Sequence, residues 1–270
     1  MELESQVKKT LKEIGLKKNE KVLVALSGGK DSTVTAYLLK KFGYKIEGFH
    51  INLKIGSYSE KCLKSIEELC EKLDIKLHLY DIKKQMGNSM CYLRSSIQSQ
   101  HKGNKLKNCA ICGVIKKWIM NKEARRIKAS KIATGHNLDD EAQTYLMNIF
   151  KASPQLSSNT GPITKNISDK KFVSRIKPLF YVAEEEIRKY SKEKKLPVTY
   201  DQCPCALSSY RIEIRKFLNT ISEKGKRKIV SNSEELIKKI KKKESKIIYC
   251  ELCGEPSRNK ICKMCSLIKV

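Results

Sequence analysis

The sequence predicts an α/β protein built on a doubly wound parallel sheet, with a small cysteine-held module at its C-terminal end. Three observations carry this. Short apolar runs alternate with amphipathic helical stretches, the rhythm of parallel strands covered by helices on both faces. The first apolar run leads directly into the glycine pair Gly28-Gly29 and then a helical segment, as at the mouth of a nucleotide crevice. Cys250, Cys253, Cys262 and Cys265 stand as two CxxC units in a segment too short to bury a core of its own.

The elements follow in order. Residues 4–16 carry Val7, Leu11 and Ile14 on one helical face. Residues 21–26 form a continuous apolar run, the mark of a strand buried on both faces. A helix is expected over 31–42, a strand over 46–51, a helix over 60–73 and a strand over 75–80. A longer helix over 109–129 places Ile111, Ile115, Trp118 and Ile119 on one face. A short strand over 131–134 and a helix over 138–150 come next. Residues 151–171 are polar and contain Pro154, Gly161 and Pro162, so they read as a mobile loop. A strand over 174–177 and a helix over 183–194 complete the sheet pattern. Two basic helical stretches, 207–222 and 232–245, follow Cys203-Pro204-Cys205. This divides the chain into an N-terminal helix (1–16), the main α/β domain (17–205), a basic helical extension (206–248) and the cysteine module (249–270). No internal repeat appears beyond the recurring CxxC.

Bulk properties narrow the function. With 270 residues, 40% hydrophobic and 31% charged, the composition is globular. No apolar run reaches the length of about 18 residues that a membrane helix needs. The first five residues, Met1 to Ser5, lack the basic-then-apolar pattern of a secretory signal, so a cytoplasmic protein with no membrane partner is expected. Lys and Arg number 56 against 29 Asp and Glu, a net charge of +27. Such a charge opposes compaction unless a polyanion binds, and nucleic acid is the natural partner. A Lys-rich surface of a thermophilic or AT-rich genome is the plainer alternative. Residues 211–249 hold 13 Lys/Arg and 5 Asp/Glu. Eleven cysteines, an odd number, argue against a closed disulfide framework and for metal or cluster ligation.

Ser27-Gly28-Gly29-Lys30-Asp31-Ser32 lies between the first strand and its helix. Two glycines let backbone N–H groups approach phosphate oxygens without a Cβ in the way. The helix adds its own N-terminal N–H groups and dipole. Ser27 and Ser32 offer hydroxyls, and Lys30 can neutralise phosphate charge. Asp31 would repel phosphate unless it binds Mg²⁺ or caps the helix, so a metal-bound nucleotide fits. The spacing is not that of the common P-loop, nor of a dinucleotide fingerprint. An ordinary glycine turn before a capped helix is the bland alternative.

On these residues the sequence resembles the PP-loop ATP pyrophosphatases, whose signature is Ser-Gly-Gly-x-Asp-Ser after the first strand of a doubly wound, adenine nucleotide α-hydrolase-like sheet. The resemblance implies that ATP is cleaved between its α and β phosphates, that AMP is transferred to a carbonyl or amide oxygen, and that a nucleophile then displaces AMP. Ligands in such sheets sit at the carboxyl ends of the strands, which puts His50 near the adenosine. A polar strand-end residue is the alternative for His50.

Gly135-His136-Asn137-Leu138-Asp139-Asp140-Glu141 follows the fourth strand and opens a helix. Helix capping explains it one way. The stretch also resembles the Gly-His-Asn-x-x-Asp-Asp/Glu motif of the tRNA-thiolating branch, which implies Asp140 as a functional acid and Gly135 as a nucleotide contact. Cys109-Ala110-Ile111-Cys112 is by itself ambiguous among redox, zinc and iron–sulfur roles. In the cluster-dependent tRNA 2-thiolation enzymes a CxxC pairs with a later Cys-Pro. The resemblance, extended by Asp201-Gln202-Cys203-Pro204 and Ser209-Tyr210-Arg211, implies that Cys109, Cys112 and Cys203 hold a 4Fe-4S cluster with one iron open to sulfide. Cys205 departs from the family, which usually has another residue there, often Tyr. It stays open between a fourth ligand, a sulfur carrier and a plain thiol. Lys116, two turns after Cys109 on the same face, can stabilise charge on an activated base; a solvated Lys is the alternative.

The terminal Cys250, Cys253, Cys262 and Cys265 read as a structural Zn²⁺ site, with a redox role the weaker alternative. The branch with zinc modules ends in such a finger. Some of its members carry another at the N-terminus, which is expected to be missing here. Cys62, Cys70 and Cys91 lack partner spacing and read as packing residues. His78 and His101 take no role. Arg94 and residues 95–108 can form an RNA-facing loop.

The resemblance covers about residues 5–265. It implies a tRNA 2-thiouridine synthase: ATP adenylates the uridine C2 oxygen, then sulfide held on the cluster displaces AMP. ATP, Mg²⁺, the cluster and Zn²⁺ are the implied cofactors. The partners are tRNA and a sulfur donor, whether sulfide, a persulfide or a ubiquitin-like thiocarboxylate protein, and a homodimer is admitted. The rivals are a tRNA 2-thiocytidine synthase, a PP-loop amidotransferase or adenylyltransferase acting on a small molecule, and a non-catalytic zinc RNA-binding module.

Overall fold

The computed structural model describes residues 2–100, 106–164, 169–206, 210–239 and 247–268, the side chains of Asn159 and Tyr210 excepted. His101, Ser209 and the outer ends of the two basic stretches lie outside them. Five strands, β1 (Val22–Ala25), β2 (Ile46–Asn52), β3 (Leu77–Asp81), β4 (Lys131–Ala133) and β5 (Ser174–Ile176), make one sheet in the order β3-β2-β1-β4-β5. Every neighbouring pair is parallel, and Val22 stands opposite Ile46 on one side and Lys131 on the other. The helices are α1 (Glu2–Ile14), α2 (Lys30–Lys41), α3 (Gly56–Lys72), α4 (Ile82–Met86), α5 (Met90–Gln100), α6 (Asn108–Arg126), α7 (Leu138–Phe150), α8 (Glu184–Glu193), α9 (Tyr210–Asn219), α10 (Glu223–Lys239) and α11 (Lys263–Ile268). No described helix is long and apolar enough to cross a membrane.

Alternation along β1 builds two cores. Side chains of a strand point to opposite faces in turn. Val22 and Val24 pack with Val7 of α1, Leu38 of α2, Ile66 of α3 and Ile187 of α8. Leu23 faces the other way, into a core with Ile82, Ile97 of α5 and Ile115 and Ile119 of α6. Each of these side chains, fully buried, contributes about 1.5–3 kcal/mol relative to exposure. A third core joins Leu138, Ala142 and Tyr145 of α7 to Ile214 and Leu218 of α9 and Val230 of α10. The basic extension therefore shares a core with α7.

The direction of winding reverses between β1 and β4. From β1 the chain passes to β2 and β3 on one side, then crosses to β4 and β5 on the other. Such a reversal leaves a crevice beyond the carboxyl ends of the two central strands. Both glycine-bearing motifs sit there, because each directly follows one of those strands.

Four stretches of the chain depart from the sequence expectation. Residues 82–100, to which no element was assigned, hold α4 and α5. Asp81 caps α4 by accepting from Lys84 N at 3.1 Å. Met90, Arg94 and Ile97 give α5 a buried face that its serines and glutamines disguise. Residues 95–100, expected in a loop, are therefore helical. Helix α10 begins at Glu223 rather than 232 and runs through Gly225, carried by burial of Val230 against α7. Residues 154–159, inside the expected mobile loop, form a 3-10 turn braced by Asn148 Nδ2 on Ser157 Oγ at 2.9 Å. Helix α3 starts at Gly56, four residues before the expected boundary.

The C-terminal module pairs β6 (Ile248–Tyr249) with β7 (Pro256–Ser257) and packs against α6. Arg125 grips both carboxylate oxygens of Glu255, and Asn121 Nδ2 donates to the same group at 3.2 Å. Lys171 Nζ donates to Gly254 O at 3.1 Å, and Tyr249 Oη to Asp169 Oδ2 at 2.7 Å.

Candidate active site

The site begins where β1 ends. Leu26 N still donates to Phe49 O at 2.8 Å, so the chain is held beside β2 until the loop starts. Gly28 has φ +83°, and a Cβ there would lie 2.9 Å from Cys62 Cα and Cβ. Conformation and crowding both demand glycine. Gly29 is the N-cap of α2 and makes no side-chain cap. The first N–H groups of α2 are therefore not claimed by a cap side chain, and with the helix dipole they suit an anion. Ser27 N donates to Ser32 Oγ at 3.1 Å, and Ser32 Oγ donates to Gly29 O at 3.0 Å. The loop is thus tied to itself before any ligand arrives.

Lys30 behaves differently from the sequence expectation of a phosphate-neutralising cation. It is 8% exposed and binds Glu184 Oε1 at 2.9 Å and Asp31 Oδ2 at 3.0 Å. Burial alone would lower its pKa, but the two carboxylates outweigh that and raise it. Its charge is spent on joining α2 to α8. Asp31 does not cap α2. It accepts from Asn137 Nδ2 at 2.9 Å as well as from Lys30. Burial raises its pKa, opposed by Lys30 and Asn137.

The β4–α7 loop closes the opposite side. A Cβ on Gly135 would sit 2.7 Å from both Asp31 C and Ser32 N, so this loop can touch the start of α2 only through glycine. Asn137 and Asp140 form a capping box: Asp140 N donates to Asn137 Oδ1 at 3.0 Å and Asn137 N to Asp140 Oδ2 at 3.4 Å. Asp140 serves the capping box and also lines the crevice. Burial holds its carboxyl above the ordinary range, opposed by Arg211, whose Nη2 lies 3.9 Å from Oδ1. Asp139 turns away, accepting from Glu184 N at 2.7 Å and Lys226 Nζ at 2.6 Å.

The crevice is a cavity of about 480 Å³. Ser27, Asp31, Ser32, His50, Gly135 and Asp140 line it, whereas Gly28, Gly29 and Lys30 of the same loop do not. His50 lies within β2 and is 6% exposed. Its Nδ1 bonds Leu26 O at 2.9 Å, which fixes Nδ1 as the protonated nitrogen and Nε2 as an acceptor. That Nε2 is buried and has no protein partner. Burial pushes the His50 pKa down, so the ring is neutral at neutral pH. An orphaned acceptor on a residue that lines the crevice, beside a loop of N–H groups, fits an adenine nucleotide.

Cys109, Cys112, Lys116 and Cys203 line the same cavity. Helix α6 brings the first three onto one face by spacings of three and four residues. Cys203 comes from the segment after α8, which is anchored to the loop: Thr199 N donates to Gly28 O at 2.9 Å, and Lys61 pairs with Asp201 at 2.8 Å. Burial raises the Cys112 thiol pKa, opposed by Lys116. Among the described residues, the three thiols are not drawn within the span of a single ion, as the terminal four are. Wider spacing around an open cavity, with a cation beside it, fits an anionic multi-iron cluster. Arg94 was assigned to a possible loop, yet it is buried on α5 and lines this cavity too. No local signal marks it, since a lone Arg in a polar stretch reads as solvated.

A second candidate centre is the terminal module. The Sγ atoms of Cys250, Cys253, Cys262 and Cys265 all lie within 4.8 Å of one another. Cys262 N donates to Cys250 Sγ at 3.2 Å and Cys265 N to Cys262 Sγ at 3.4 Å. Burial alone would raise the Cys250 pKa, but backbone N–H groups pull it down to about 6. Buried sulfurs braced by N–H donors suit a thiolate-bound metal ion.

Comparison with known proteins agrees with this geometry. The PP-loop domain family matches residues 1–221. The chain is 37% identical over 255 residues to the tRNA-5-methyluridine(54) 2-sulfurtransferase of Pyrococcus horikoshii, covering 93% of this chain and 79% of that protein. It is 31% identical over 265 residues to the tRNA 2-thiolation protein NcsA of Haloferax volcanii, covering 92% and 81%. The structure of the U34-tRNA thiolase NcsA from Methanococcus maripaludis with its 4Fe-4S cluster superposes with a TM-score of 0.81 at 30% identity, covering 98% of this chain and 86% of that one.

Proposed function

The chain belongs to the PP-loop family, in the branch of tRNA 2-sulfurtransferases, and on that premise we propose that it makes 2-thiouridine in tRNA at the expense of ATP. One observation carries the reading. Ser27, Asp31 and Ser32 of the glycine loop, Asp140, Lys116 and three cysteines from two distant parts of the chain all line one cavity. A small-molecule adenylating enzyme has no need of the cysteines, and a non-catalytic RNA-binding module has no need of the loop.

The residues then take these roles. N–H groups at the start of α2, with Ser27, hold the ATP phosphates. Asp31 and Asp140 face the cavity and would hold Mg²⁺, which neutralises phosphate charge when bound. His50 Nε2 accepts from the adenosine, and Gly135 lets the β4–α7 loop close on α2. The uridine C2 oxygen attacks the α-phosphorus, AMP is transferred to it and pyrophosphate leaves. Lys116 balances the negative charge that develops on the base. Sulfur then adds at C2, and AMP departs with its oxygen. Cys109, Cys112 and Cys203 would hold a 4Fe-4S cluster, which supplies an iron able to carry sulfide. Cys250, Cys253, Cys262 and Cys265 would hold Zn²⁺ and keep the module folded. The exposed Lys224, Lys228, Lys238 and Lys239 of α10 and the module contact tRNA.

Anaerobic protein with its iron and zinc intact, supplied with ATP, sulfide and unmodified tRNA, should form AMP, pyrophosphate and 2-thiouridine in equal amounts. Nucleoside mass spectrometry with fragment mapping reads both the base and its position. The relatives' names point to two positions, 54 and 34. Thiolated cytidine, or AMP formation independent of tRNA, would overturn the assignment.

A further inference from the structure

Two more cysteines stand beside those assigned to the cluster. Cys205 Sγ lies 3.9 Å from Cys91 Sγ, and Arg94 Nη2 reaches Cys205 Sγ at 3.1 Å. Cys91 and Arg94 come from consecutive turns of α5, so one short helix presents a thiol and a guanidinium to the same sulfur. Arg94 is 7% exposed, which fixes its direction.

Access to the two thiols differs. Cys205 lines the 480 Å³ nucleotide cavity and also a second cavity of about 420 Å³, whose wall includes Lys107, Cys109, Lys151 and Arg211. Cys91 lines neither and sits behind Cys205. One sulfur therefore forms part of the partition between two chambers, with a second sulfur in van der Waals contact behind it. A sulfur already held by a guanidinium and a neighbouring thiol is poorly placed as one more cluster ligand. It is well placed to accept a group from one chamber and release it into the other.

We propose that Cys205 and Cys91 are a sulfur-relay dithiol that takes sulfane sulfur from a hydropersulfide donor and releases it as hydrosulfide into the nucleotide cavity. The proposal rests on the thiolation reading, because only a sulfur-consuming reaction has a use for the product. In the first step the Cys205 thiolate attacks the terminal sulfur of the donor R–S–SH. The donor S–S bond breaks, RS⁻ leaves with the electron pair, and Cys205 carries –S–SH. In the second step the Cys91 thiolate attacks Cys205 Sγ. The bond to the outer sulfur breaks, HS⁻ leaves, and a Cys91–Cys205 disulfide forms. A dithiol reductant then returns two electrons and two protons and becomes a disulfide itself. The second step brings the two sulfurs from 3.9 Å to the bonded distance of about 2.05 Å. Arg94 orients Cys205 and balances the charge that passes through its sulfur.

The test uses the full chain, anaerobic and loaded with iron and zinc, treated with glutathione hydropersulfide without reductant. Intact mass, peptide mapping and released sulfide are read together with metal content. The wild type should lose two hydrogens, map a Cys91–Cys205 disulfide and release one sulfide per chain. Cys91→Ser should trap one extra sulfur atom on Cys205 and release none. Cys205→Ser should do neither while keeping its iron. Iron loss in Cys205→Ser, or an extra sulfur on any other cysteine of that variant, would overturn the proposal. So would sulfide release by Cys91→Ser equal to that of the wild type. Failure of sulfide-driven tRNA thiolation would instead strike the function reading, since it bypasses the donor.

Discussion

Gly135 shows how much a single residue can decide. The atoms a Cβ would meet are backbone atoms of Asp31 and Ser32, which cannot swing aside as the tip of a side chain would. Gly135→Ala should therefore push the β4–α7 loop off the start of α2, at about 1–3 kcal/mol for an overpacked site. ATP affinity should fall by about tenfold or more, since about 1.4 kcal/mol is one decade. Calorimetric titration beside a urea melt separates the two effects; unchanged affinity would place the nucleotide elsewhere. The sequence pointed to Gly135 as a nucleotide contact, and its closest neighbours are the α2 backbone itself. Lys30 was likewise visible as a charge, but its partner Glu184 is 154 residues away, beyond any local pattern.

At the scale of elements, ion pairs decide which basic residues remain for RNA. Arg215 binds Glu184 at 3.0 Å, Lys226 binds Asp139 at 2.6 Å, and Arg227 binds Glu186 at 3.1 Å. Part of the positive excess after residue 211 thus holds α9 and α10 against α7 and α8. Glu184 of α8 is linked to α9 through Arg215 and to α2 through Lys30. Its carboxyl is held below the ordinary range: burial would raise it, but Lys30 and Arg215 outweigh burial. A carboxylate with a depressed folded pKa adds stability above its unfolded value of about 4.3, and that stability is lost as pH falls through the folded value. Glu184→Gln should flatten this acid limb and cost about 1–3 kcal/mol near neutrality, read from urea melts across pH. An unchanged acid limb would remove Glu184 from this role. Asn137 joins elements in another way, capping α7 while donating to Asp31. Asn137→Ala should lower stability by about 0.5–2 kcal/mol and weaken ATP binding; loss of stability alone would leave Asn137 a cap and nothing more.

For the whole molecule, the terminal module joins the sheet domain through a shared apolar core, to which its Met264 and Cys265 and the Ile115 and Ile119 of α6 belong, and through charged and polar contacts beside it. Glu255 is buried between Arg125 and Asn121. Glu255→Ala leaves Arg125 without its carboxylate and should free the module from α6, making residues 247–268 the first site of limited proteolysis. With Zn²⁺ on the four cysteines as proposed, chelation should unfold that segment with the sheet core intact, as read by loss of its amide protection. A net charge of +27 spread over several elements should also govern tRNA binding. Affinity should fall about a thousandfold between roughly 50 and 200 mM salt if six or more phosphates are contacted. A flat salt dependence would deny the lysines that role.

By itself the sequence determined what is local. The order of the five strands and of most helices, the glycine loop after β1, the acidic helix start after β4 and the two CxxC units at the end are each written in neighbouring residues, because periodicity, glycine and ligand spacing act over a few positions. The tertiary structure alone decided what is distant. It set Cys203, which only the family resemblance had grouped with Cys109 and Cys112, on one cavity with them, paired Lys30 with Glu184, and hid Arg94 and Cys91 on a helix whose polar residues concealed its buried face. Those outcomes depend on which side chains meet after the sheet closes. Such meetings are fixed by packing and charge between residues far apart in the chain, and no window of sequence contains both partners.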